Sequence, residues 1–587
     1  METKWDLSVL YKSLDDENIE KDIALVQQKL DETESCIASE MGDKEKLEKL
    51  VTLMEETVEI GERLGLYAGL TLATDATNEK ALQLNDTLQM NEVRQSVVGS
   101  AVQRYVGTVE GLEDVIASSD CLQKVGYALR VMARDAKHIP DAAIHEWLLK
   151  MSLNGATAFS GLRDKLDATL LVDYDGKQIP LSAARAMAYD PSAAVRKAAY
   201  EAELASYKKV EIPMAACLNA IKGEAITMSE AEHYDSVLDK TLQESHMDAA
   251  TLNAMLDAIR ESLPAFRKYL RRKGEMLGYK NGIPFHDLFA PLPIPGYEPK
   301  QYTIEECREK LVSVLSQFSP AMGDFINEAF ENRWIDVYPA EGKSGGAFCA
   351  GLHKLDQSRV MTNFAGSYSD VSTIAHELGH GWHNRNLAGL PYMMIDTPMQ
   401  LAETASIFNE TLLARAAMAQ AEEKERLALL EANLMETTQC IVDIYSRYLF
   451  ETAVIEGKKS HNASPEELCR MMLEAQEQSY GDGLDPELRH PYMWACKSHY
   501  YSAGLNFYNF PYAFGQLFGT GVYACYAEEG ASFVPKYNQL LRSCGSMDIA
   551  DVAASVGIDV RSVDFWRSAL KVYEDEIEEF LRLTAEL

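Results

Sequence analysis

"TIAHELGHGWHNR", residues 373 to 385, holds three of the 12 histidines of this 587-residue chain. If the segment is a helix, His376 and His380 are one turn apart and both rings project from the same face. Two imidazoles at this spacing can bind one Zn²⁺ ion. Glu377 then lies beside the metal, where a general base can take a proton from metal-bound water. The segment therefore predicts a zinc site built on a helix.

The residues around this segment indicate where the helix begins and ends. Ser369 is a suitable N-cap, and Asp370 suits the positive end of the helix in the first turn. Gly389 and Pro391 are typical of a helix end. The sequence therefore predicts one helix from residue 370 to just before Gly389.

A zinc site on this helix needs a third ligand. His383 is near the ligand face, but its Cα lies about 10.5 Å along the axis from that of His376. One ion cannot easily bridge that distance with His380 already bound. A further histidine six residues after His380 is absent, because Asn386 stands there. His383 can support a ligand from behind or pack in the core, and the sequence leaves both open.

The segment "DTPMQLAETASIFNETLLARA", residues 396 to 416, predicts a second helix that can supply the missing ligand. Glu403 and Glu410 lie seven residues apart, on one face but two turns removed. The 22 residues between His380 and Glu403 allow the first helix to end and the second to run antiparallel to it. This spacing favours Glu403 as the third ligand and leaves Glu410 to orient a histidine.

The rest of the chain predicts a mainly α-helical protein with little sheet. Apolar residues recur every three to four positions before residue 165, from the hairpin to about residue 279, and again after residue 390. Asp175-Gly176 between two β-favouring runs predicts a hairpin within residues 169–181. "WIDVYPA" (334–340) and "SRVMTNFAG" (358–366) predict a small sheet just before the histidines. We expect the second run to be an exposed edge strand that pairs with a peptide, with Gly366 in contact with it.

Charge and cysteine usage exclude several classes of function. The net charge of -34 disfavours nucleic-acid binding. The acidic N-terminus lacks the apolar stretch of a signal peptide, and the 10 cysteines are scattered without a Cys-x-x-Cys pair. We therefore expect a cytoplasmic protein with free thiols. Residues 498–527 carry no charge, but their asparagines, proline and glycines fit an uncharged wall better than a membrane helix.

Several segments together resemble one known family. "HELGH" (376–380) followed by "LAETASIFNE" (401–410) is similar to the zinc metallopeptidases of the oligoendopeptidase F and thimet oligopeptidase family, closest to its oligoendopeptidase F branch. The resemblance extends over "NGATAFSGLRDKLDATL" (154–170), "DPSAAVRKAAYEAE" (190–203), "TNFAGSYSDVSTIAHELGH" (362–380) and "SHYYSAGLNFYNFPYAFG" (498–515), whereas the first 110 residues show little.

The resemblance implies a set of site residues. It places His376, His380 and Glu403 on one Zn²⁺ ion per chain, with Glu377 as the base. It also implies that a histidine and tyrosines in the uncharged segment face the substrate and the developing oxyanion. The candidates in this sequence are His499, Tyr501, Tyr508 and Tyr512.

The resemblance also implies the architecture and the activity. We expect an N-terminal helical domain (1–185), a catalytic domain (186–587) and a deep substrate channel between two lobes. The implied function is a zinc-dependent endopeptidase that hydrolyses internal bonds of short unfolded peptides. A dipeptidyl carboxypeptidase or carboxypeptidase on the same zinc is the alternative, and a non-catalytic zinc-containing peptide-binding protein is a third. The sequence does not reveal the oligomeric state.

Overall fold

The recurring apolar positions form helices through most of the chain, as the computed structural model shows for residues 2–140 and 142–586. This confirms the predicted mainly α fold. The helices of the first half are α1 (Glu17–Ile37), α2 (Asp43–Thr74), α3 (Glu79–Thr108), α4 (Leu112–Ala117), α5 (Asp120–Lys124), α6 (Gly126–Asp135), α7 (Ala142–Asn154), α8 (Ala156–Thr169), α9 (Leu181–Ala186), α10 (Ala193–Tyr207), α11 (Glu211–Ala231), α12 (Val237–Glu244) and α13 (Ala249–Met276).

The second half continues in the same way, interrupted by a small sheet. Its helices are α14 (Ile304–Phe318), α15 (Pro320–Glu331), α16 (Tyr368–Leu387), α17 (Met399–Ala402), α18 (Thr404–Gln420), α19 (Glu423–Thr438), α20 (Ile444–Lys458), α21 (Pro465–Tyr480), α22 (Met493–Cys496), α23 (Phe510–Glu529), α24 (Val534–Ser543), α25 (Ile549–Ala554) and α26 (Val563–Thr584). The strands are β1 (Leu171–Tyr174), β2 (Lys177–Pro180), β3 (Ile335–Asp336), β4 (Phe348–Leu352) and β5 (Gln357–Met361).

The chain folds into two compact units, each assembled from distant segments. Unit 1 comprises Met1–Ile139, Pro299–Ala416 and Cys525–Gly557. Unit 2 comprises Pro140–Glu298, Ala417–Ala524 and Ile558–Leu587. The division into sequence domains at residues 185 and 186, and the channel between two lobes, stay predictions.

The hairpin predicted in residues 169–181 is confirmed. Strands β1 and β2 pair antiparallel, with Tyr174 opposite Lys177. Asp175 and Gly176 form the turn with positive φ angles of 48° and 73°. Such left-handed pairs match the twist of the flanking strands, which is why Asp-Gly was a strong hairpin signal.

The predicted edge strand at residues 358–366 is wrong. β5 lies in the centre of a three-stranded sheet, between the parallel strand β3 and the antiparallel strand β4. Its residues Ser358 to Met361 are all buried, as expected of a strand covered on both faces. The edge strands of this sheet are β3 and β4.

Gly366 lies beyond the strand and has a structural role. Its φ of 100° is in the region that favours glycine, and its carbonyl accepts a hydrogen bond from the Tyr302 amide at 2.8 Å. A Cβ here would meet the Tyr302 carbonyl oxygen at 2.9 Å. Gly366 is also buried, so the structure does not support its predicted contact with a peptide substrate.

Residues 498–527 form a short 3₁₀ turn, a loop and most of α23. Across the described residues, no helix is both long and apolar enough to cross a membrane.

Candidate metal centre

Helix α16 carries the histidine segment and starts from a capping box. The cap is Ser367, two residues before the predicted Ser369. The Ser367 hydroxyl accepts from the Asp370 amide at 3.1 Å, and the Asp370 carboxylate accepts from the Ser367 amide at 2.9 Å. This reciprocal pair satisfies two amides at the helix start. The predicted cap was wrong. Serines stand at both 367 and 369, but only Ser367 has an acidic residue three positions later, Asp370, to complete the capping box.

The structure brings His376, His380 and Glu403 together, as their spacing predicted. One ligand atom from each residue lies within 4.8 Å of the others, and no other such group of three occurs among the described residues. The two histidine Nε2 atoms are 3.2 Å apart. The Glu403 Oε2 atom is 3.2 Å from His376 Nε2 and 3.4 Å from His380 Nε2. Two imidazoles and one carboxylate are a donor set that Zn²⁺ prefers, and three protein ligands leave a position open.

The sequence predicts Glu403 within one continuous helix, but the structure interrupts the helix at this residue. Glu403 forms the junction between α17 and α18. The Ser406 hydroxyl, in the first turn of α18, donates to Glu403 Oε2 at 2.7 Å. The junction and this hydrogen bond therefore fix the direction of the carboxylate.

A glycine on α16 allows the two ligand-bearing segments to approach closely. A Cβ on Gly379 would lie 2.6 Å from the Ala405 carbonyl oxygen and 2.6 Å from the Ser406 Cα. Real Cβ atoms do not approach backbone so closely, so only glycine fits here. Asn409 adds a further link, because its side-chain amide donates to the Ala375 carbonyl at 3.2 Å.

The two residues expected behind the ligands differ in what they contact. Glu410 Oε1 lies 3.2 Å from His376 Nδ1, which is the contact needed to orient that ring. His383 is buried, and its Nε2 lies 3.1 Å from the Leu541 carbonyl oxygen. Of the two alternatives for His383, this contact favours packing.

The charges of the centre favour one protonated histidine when no metal is bound. Burial lowers the pKa of His376, but the carboxylates of Glu403 and Glu410 outweigh it and raise that pKa to about 10. Burial lowers the pKa of His380 to about 4. Burial opposes the ionised form of Glu403, yet the two histidines lower its pKa to about 2. A divalent cation would replace the proton of His376 between these groups.

Glu377 lies next to the ligands and is 6% exposed. Burial, together with the nearby Glu403 and Glu410, raises its pKa to about 7, although His376 acts in the opposite direction. A carboxylate with a pKa near neutrality is suited to accepting and returning a proton at physiological pH.

In unit 2, His499, Tyr508 and Tyr512 form a cluster of their own. The ring of His499 is 5.1 Å from that of Tyr508 and 5.8 Å from that of Tyr512. The Tyr512 hydroxyl lies 3.4 Å from His499 Nε2. Burial and the charges of Arg447, Lys497 and Arg163 lower the pKa of His499, so the ring is neutral at neutral pH. The cluster can present neutral hydrogen-bond donors.

Tyr501 does not belong to this cluster. It is 1% exposed and packs in a hydrophobic core, with the guanidinium of Arg163 5.2 Å from its ring centre. A side chain this buried cannot touch a substrate, so its predicted role is corrected to core packing.

A buried ion pair holds the loop before α23. Lys222 Nζ lies 2.6 Å from Glu451 Oε1 and 3.0 Å from Asn506 Oδ1. The two oxygens of Glu451 accept from the Phe507 amide at 3.0 Å and from the Asn509 side chain at 2.7 Å. Phe507 has a φ of 53°, which is unusual for a bulky residue. The hydrogen bonds stabilise this strained turn directly before Tyr508.

Comparison with known proteins now identifies the family. A sequence profile of peptidase family M3 matches residues 186–572, which include every metal-centre residue and the tyrosine cluster. The chain belongs to peptidase family M3. This confirms the resemblance seen in the sequence.

Relatives of this M3 family chain are named as oligopeptidases. The chain is 27% identical over 395 residues to an oligoendopeptidase F homolog of Lactococcus lactis subsp. lactis, and the alignment spans 66% of this chain and only 64% of the relative. It is 22% identical over 597 residues to the oligopeptidase PepF of Bacillus subtilis, across 99% of this chain and 87% of the relative.

Solved structures confirm the fold of the M3 family chain. Oligoendopeptidase-F from Enterococcus faecium superposes with a TM-score of 0.71 at 16% identity, over 97% of this chain and 99% of the other. A proposed peptidase from Chlamydophila abortus gives a TM-score of 0.84 at 22% identity, over 99% and 98%.

Sequence reasoning missed the residues that position the site of this M3 chain. Ser406 follows Glu403 by three residues, a local signal that could have been used. Lys222 and Glu451 are 229 residues apart, and no pattern in the sequence pairs them. Gly379 stands inside the histidine motif, where a glycine in a helix indicates close packing.

Proposed function

We propose that this protein is a zinc-dependent endopeptidase that hydrolyses internal bonds of short, unfolded peptides. The observation that carries the proposal is the convergence of His376, His380 and Glu403 on one point, with Glu377 beside them. Membership of peptidase family M3 and the names of its relatives support peptides as the substrate class.

His376, His380 and Glu403 would hold the zinc ion, and Glu410 would orient His376. A bound Zn²⁺ supplies a Lewis acid for the scissile carbonyl and makes water a nucleophile near neutral pH. Structural zinc sites are usually closed by four protein ligands, so a centre with three supports catalysis over the scaffold alternative.

Glu377 acts as the proton carrier in this proposal. Its carboxylate takes a proton from the attacking water and delivers it to the amine that leaves. Its burial excludes bulk water, and its pKa of about 7 suits both steps.

His499, Tyr508 and Tyr512 are proposed to stabilise the negative charge that develops on the carbonyl oxygen. Neutral donors suit this role, because they stabilise an oxyanion without pairing with the carboxylates of the metal centre. A peptide is proposed to pair with the edge strand β4 instead of the central strand at residues 358–366. Such pairing would recognise the peptide backbone and tolerate many side chains.

The test is incubation of wild-type protein with a mixture of peptides of different lengths, with products read by mass spectrometry. A chelator-treated sample restored with zinc is the control. Internal cuts that stop with the chelator and return with zinc are expected. Dipeptides or single residues released only from C-termini would replace the proposal with the carboxypeptidase alternative. Bound zinc without any product would leave a binding protein.

We also propose that the protein acts in the cytoplasm, on the ground of its scattered cysteines, which include no Cys-x-x-Cys pair.

A further inference from the structure

Unit 2 contains a cavity of about 350 Å³ whose lining combines basic side chains with aromatic rings. Arg185, Arg196 and Lys497 are the cations of the lining, and Glu203 is its one acid. The volume is at the small end of the range for ligand pockets. An excess of positive charge in a small cavity points to an anionic ligand, provided that the cations are not already paired.

The acid of the lining, Glu203, already has polar neighbours. Glu203 Oε1 lies 2.9 Å from Arg185 Nη1, accepts from the Tyr207 hydroxyl at 3.2 Å and is 3.4 Å from His490 Nε2. Arg196 is paired elsewhere, because its guanidinium donates to both oxygens of Asp287 at 2.7 and 3.0 Å. Arg196 is therefore structural, and the described contacts of Glu203 go to Arg185, Tyr207 and His490.

Lys497 is the cation without a partner. Its ammonium group makes no hydrogen bond and no ion pair with any residue that the structure describes. Asp443, the nearby acid, is paired with Arg447 and accepts from the Tyr480 hydroxyl at 3.2 Å. Burial, opposed by Asp443 but reinforced by Arg447 and Arg185, lowers the pKa of Lys497. Lys497 is half-buried, and an ammonium near other cations with no paired anion is electrostatically unfavourable, so a bound anion would stabilise it.

Two histidines of the lining also present unused ring nitrogens. His490 is 1% exposed and His286 is 4% exposed. The Nδ1 atoms of both are buried and have no hydrogen-bond partner among the described residues. Buried polar atoms are normally paired, so two such atoms in one cavity wall indicate a ligand or ordered water.

The remaining wall is aromatic. The rings of Tyr189 and Phe289 are 5.0 Å apart, and Phe285 lies 5.1 Å from His490. An inorganic anion would leave these rings without a contact, whereas a carboxylate attached to an apolar side chain would use both parts of the cavity.

We propose that this cavity binds the C-terminal residue of a peptide, with the carboxylate on Lys497 and an apolar side chain among the aromatic rings. Lys497, which lines the cavity, precedes His499 of the tyrosine cluster by two residues. A free amino acid has the same chemistry. The assignment of the carboxylate to the C-terminus of a peptide substrate rests on the proposed function. The binding of a carboxylate in the cavity does not.

The test begins with calorimetric binding of N-acetyl-phenylalanine and of its amide to the full-length protein. The wild type is expected to bind the acid at least about tenfold more tightly than the amide, because the acid makes charge-assisted hydrogen bonds. Lys497→Met is expected to remove this preference, and it leaves no former partner unpaired. Lys165→Met, at an exposed position of the same unit, should keep the preference. Equal binding of acid and amide by the wild type, or no binding of either, overturns the proposal.

Kinetics then distinguish the two sources. If the substrate's terminus occupies the cavity, amidation of a peptide substrate raises KM in the wild type and not in Lys497→Met. If the acid binds but amidation leaves KM unchanged, the ligand is a free amino acid and the substrate part of the proposal is overturned. Binding of the acid by a protein that cleaves no peptide would instead refute the proposed function.

Discussion

The metal centre and the tyrosine cluster are built by different means. The ligands of the metal centre are fixed by local rules: helical spacing within α16, a capping box, and a glycine that lets α18 approach. The segment that holds Tyr508 has no regular structure of its own before α23. It is fixed by Glu451 and Lys222, which lie far away in the sequence. The first kind of site can be predicted from a short stretch of sequence, and the second cannot.

The largest effect should follow from removing a ligand. Glu403→Ala leaves two imidazoles as ligands. Its zinc affinity should fall by more than the ~10²-fold that follows from loss of a residue that only hydrogen-bonds a ligand. Activity should be lost with the metal. Metal content after dialysis, measured by mass spectrometry, checks this. Glu410→Gln is the matched control and should bind zinc about 10- to 100-fold more weakly. Equal zinc retention in Glu403→Ala and wild type would show that Glu403 is not a zinc ligand.

The next largest effect should separate the two regions. Glu451→Gln removes the charge that pairs with Lys222 and loosens the turn before Tyr508. A displacement of about 1 Å can cost 10²-fold, so kcat should fall by about 10²-fold while bound zinc stays constant. Steady-state kinetics and metal content on one sample measure both. Glu456→Gln, exposed on the same helix, should behave as wild type. Loss of zinc in Glu451→Gln would mean that the two regions are not independent.

A smaller effect should follow from adding a side chain where α16 packs closely against the backbone of residues 405 and 406. Gly379→Ala places a Cβ against backbone of the segment that carries Glu403, and the two must separate. Such overpacking costs about 1–3 kcal/mol in the free energy of unfolding. Denaturant unfolding of the zinc-loaded protein measures this. Gly99→Ala, where the same Cβ meets open space, should be neutral or stabilising. Equal stability of the two variants would show that the close approach is not required.

The smallest effect concerns protons. At pH 8 and without metal, His376 is protonated because its pKa is about 10, whereas His380 with a pKa of about 4 is neutral. Zinc binds neutral imidazole, so binding should release about one proton, and apparent affinity should rise about tenfold per pH unit below pH 10. Calorimetry in buffers of different ionisation enthalpy counts the proton. Release of no proton at pH 8 would contradict the charge state described for His376.

The limits of sequence reasoning follow from the same contrast. His376, His380 and Glu403 were predicted correctly as a cluster because helix periodicity and loop length restrict where each can lie. The prediction of an edge strand at residues 358–366 is wrong because the periodicity of apolar residues does not distinguish a central strand from an edge strand.

Burial was the other source of error. Tyr501 was predicted to contact substrate, but a tyrosine in an uncharged run can lie in the core or in a pocket. The unpartnered ammonium of Lys497 and the buried pair of Lys222 with Glu451 depend on contacts between distant segments. Only the fold reveals such contacts.

The chemistry proposed for the metal centre assigns to Glu377 the role of proton carrier in peptide hydrolysis. This claim is tested by kcat on an internally quenched peptide for wild type and Glu377→Gln, with zinc content determined on the same samples. We expect one zinc per chain in both proteins and a kcat about 10²- to 10⁴-fold lower in Glu377→Gln, as for loss of a general base. Equal kcat at equal zinc content would contradict the claim.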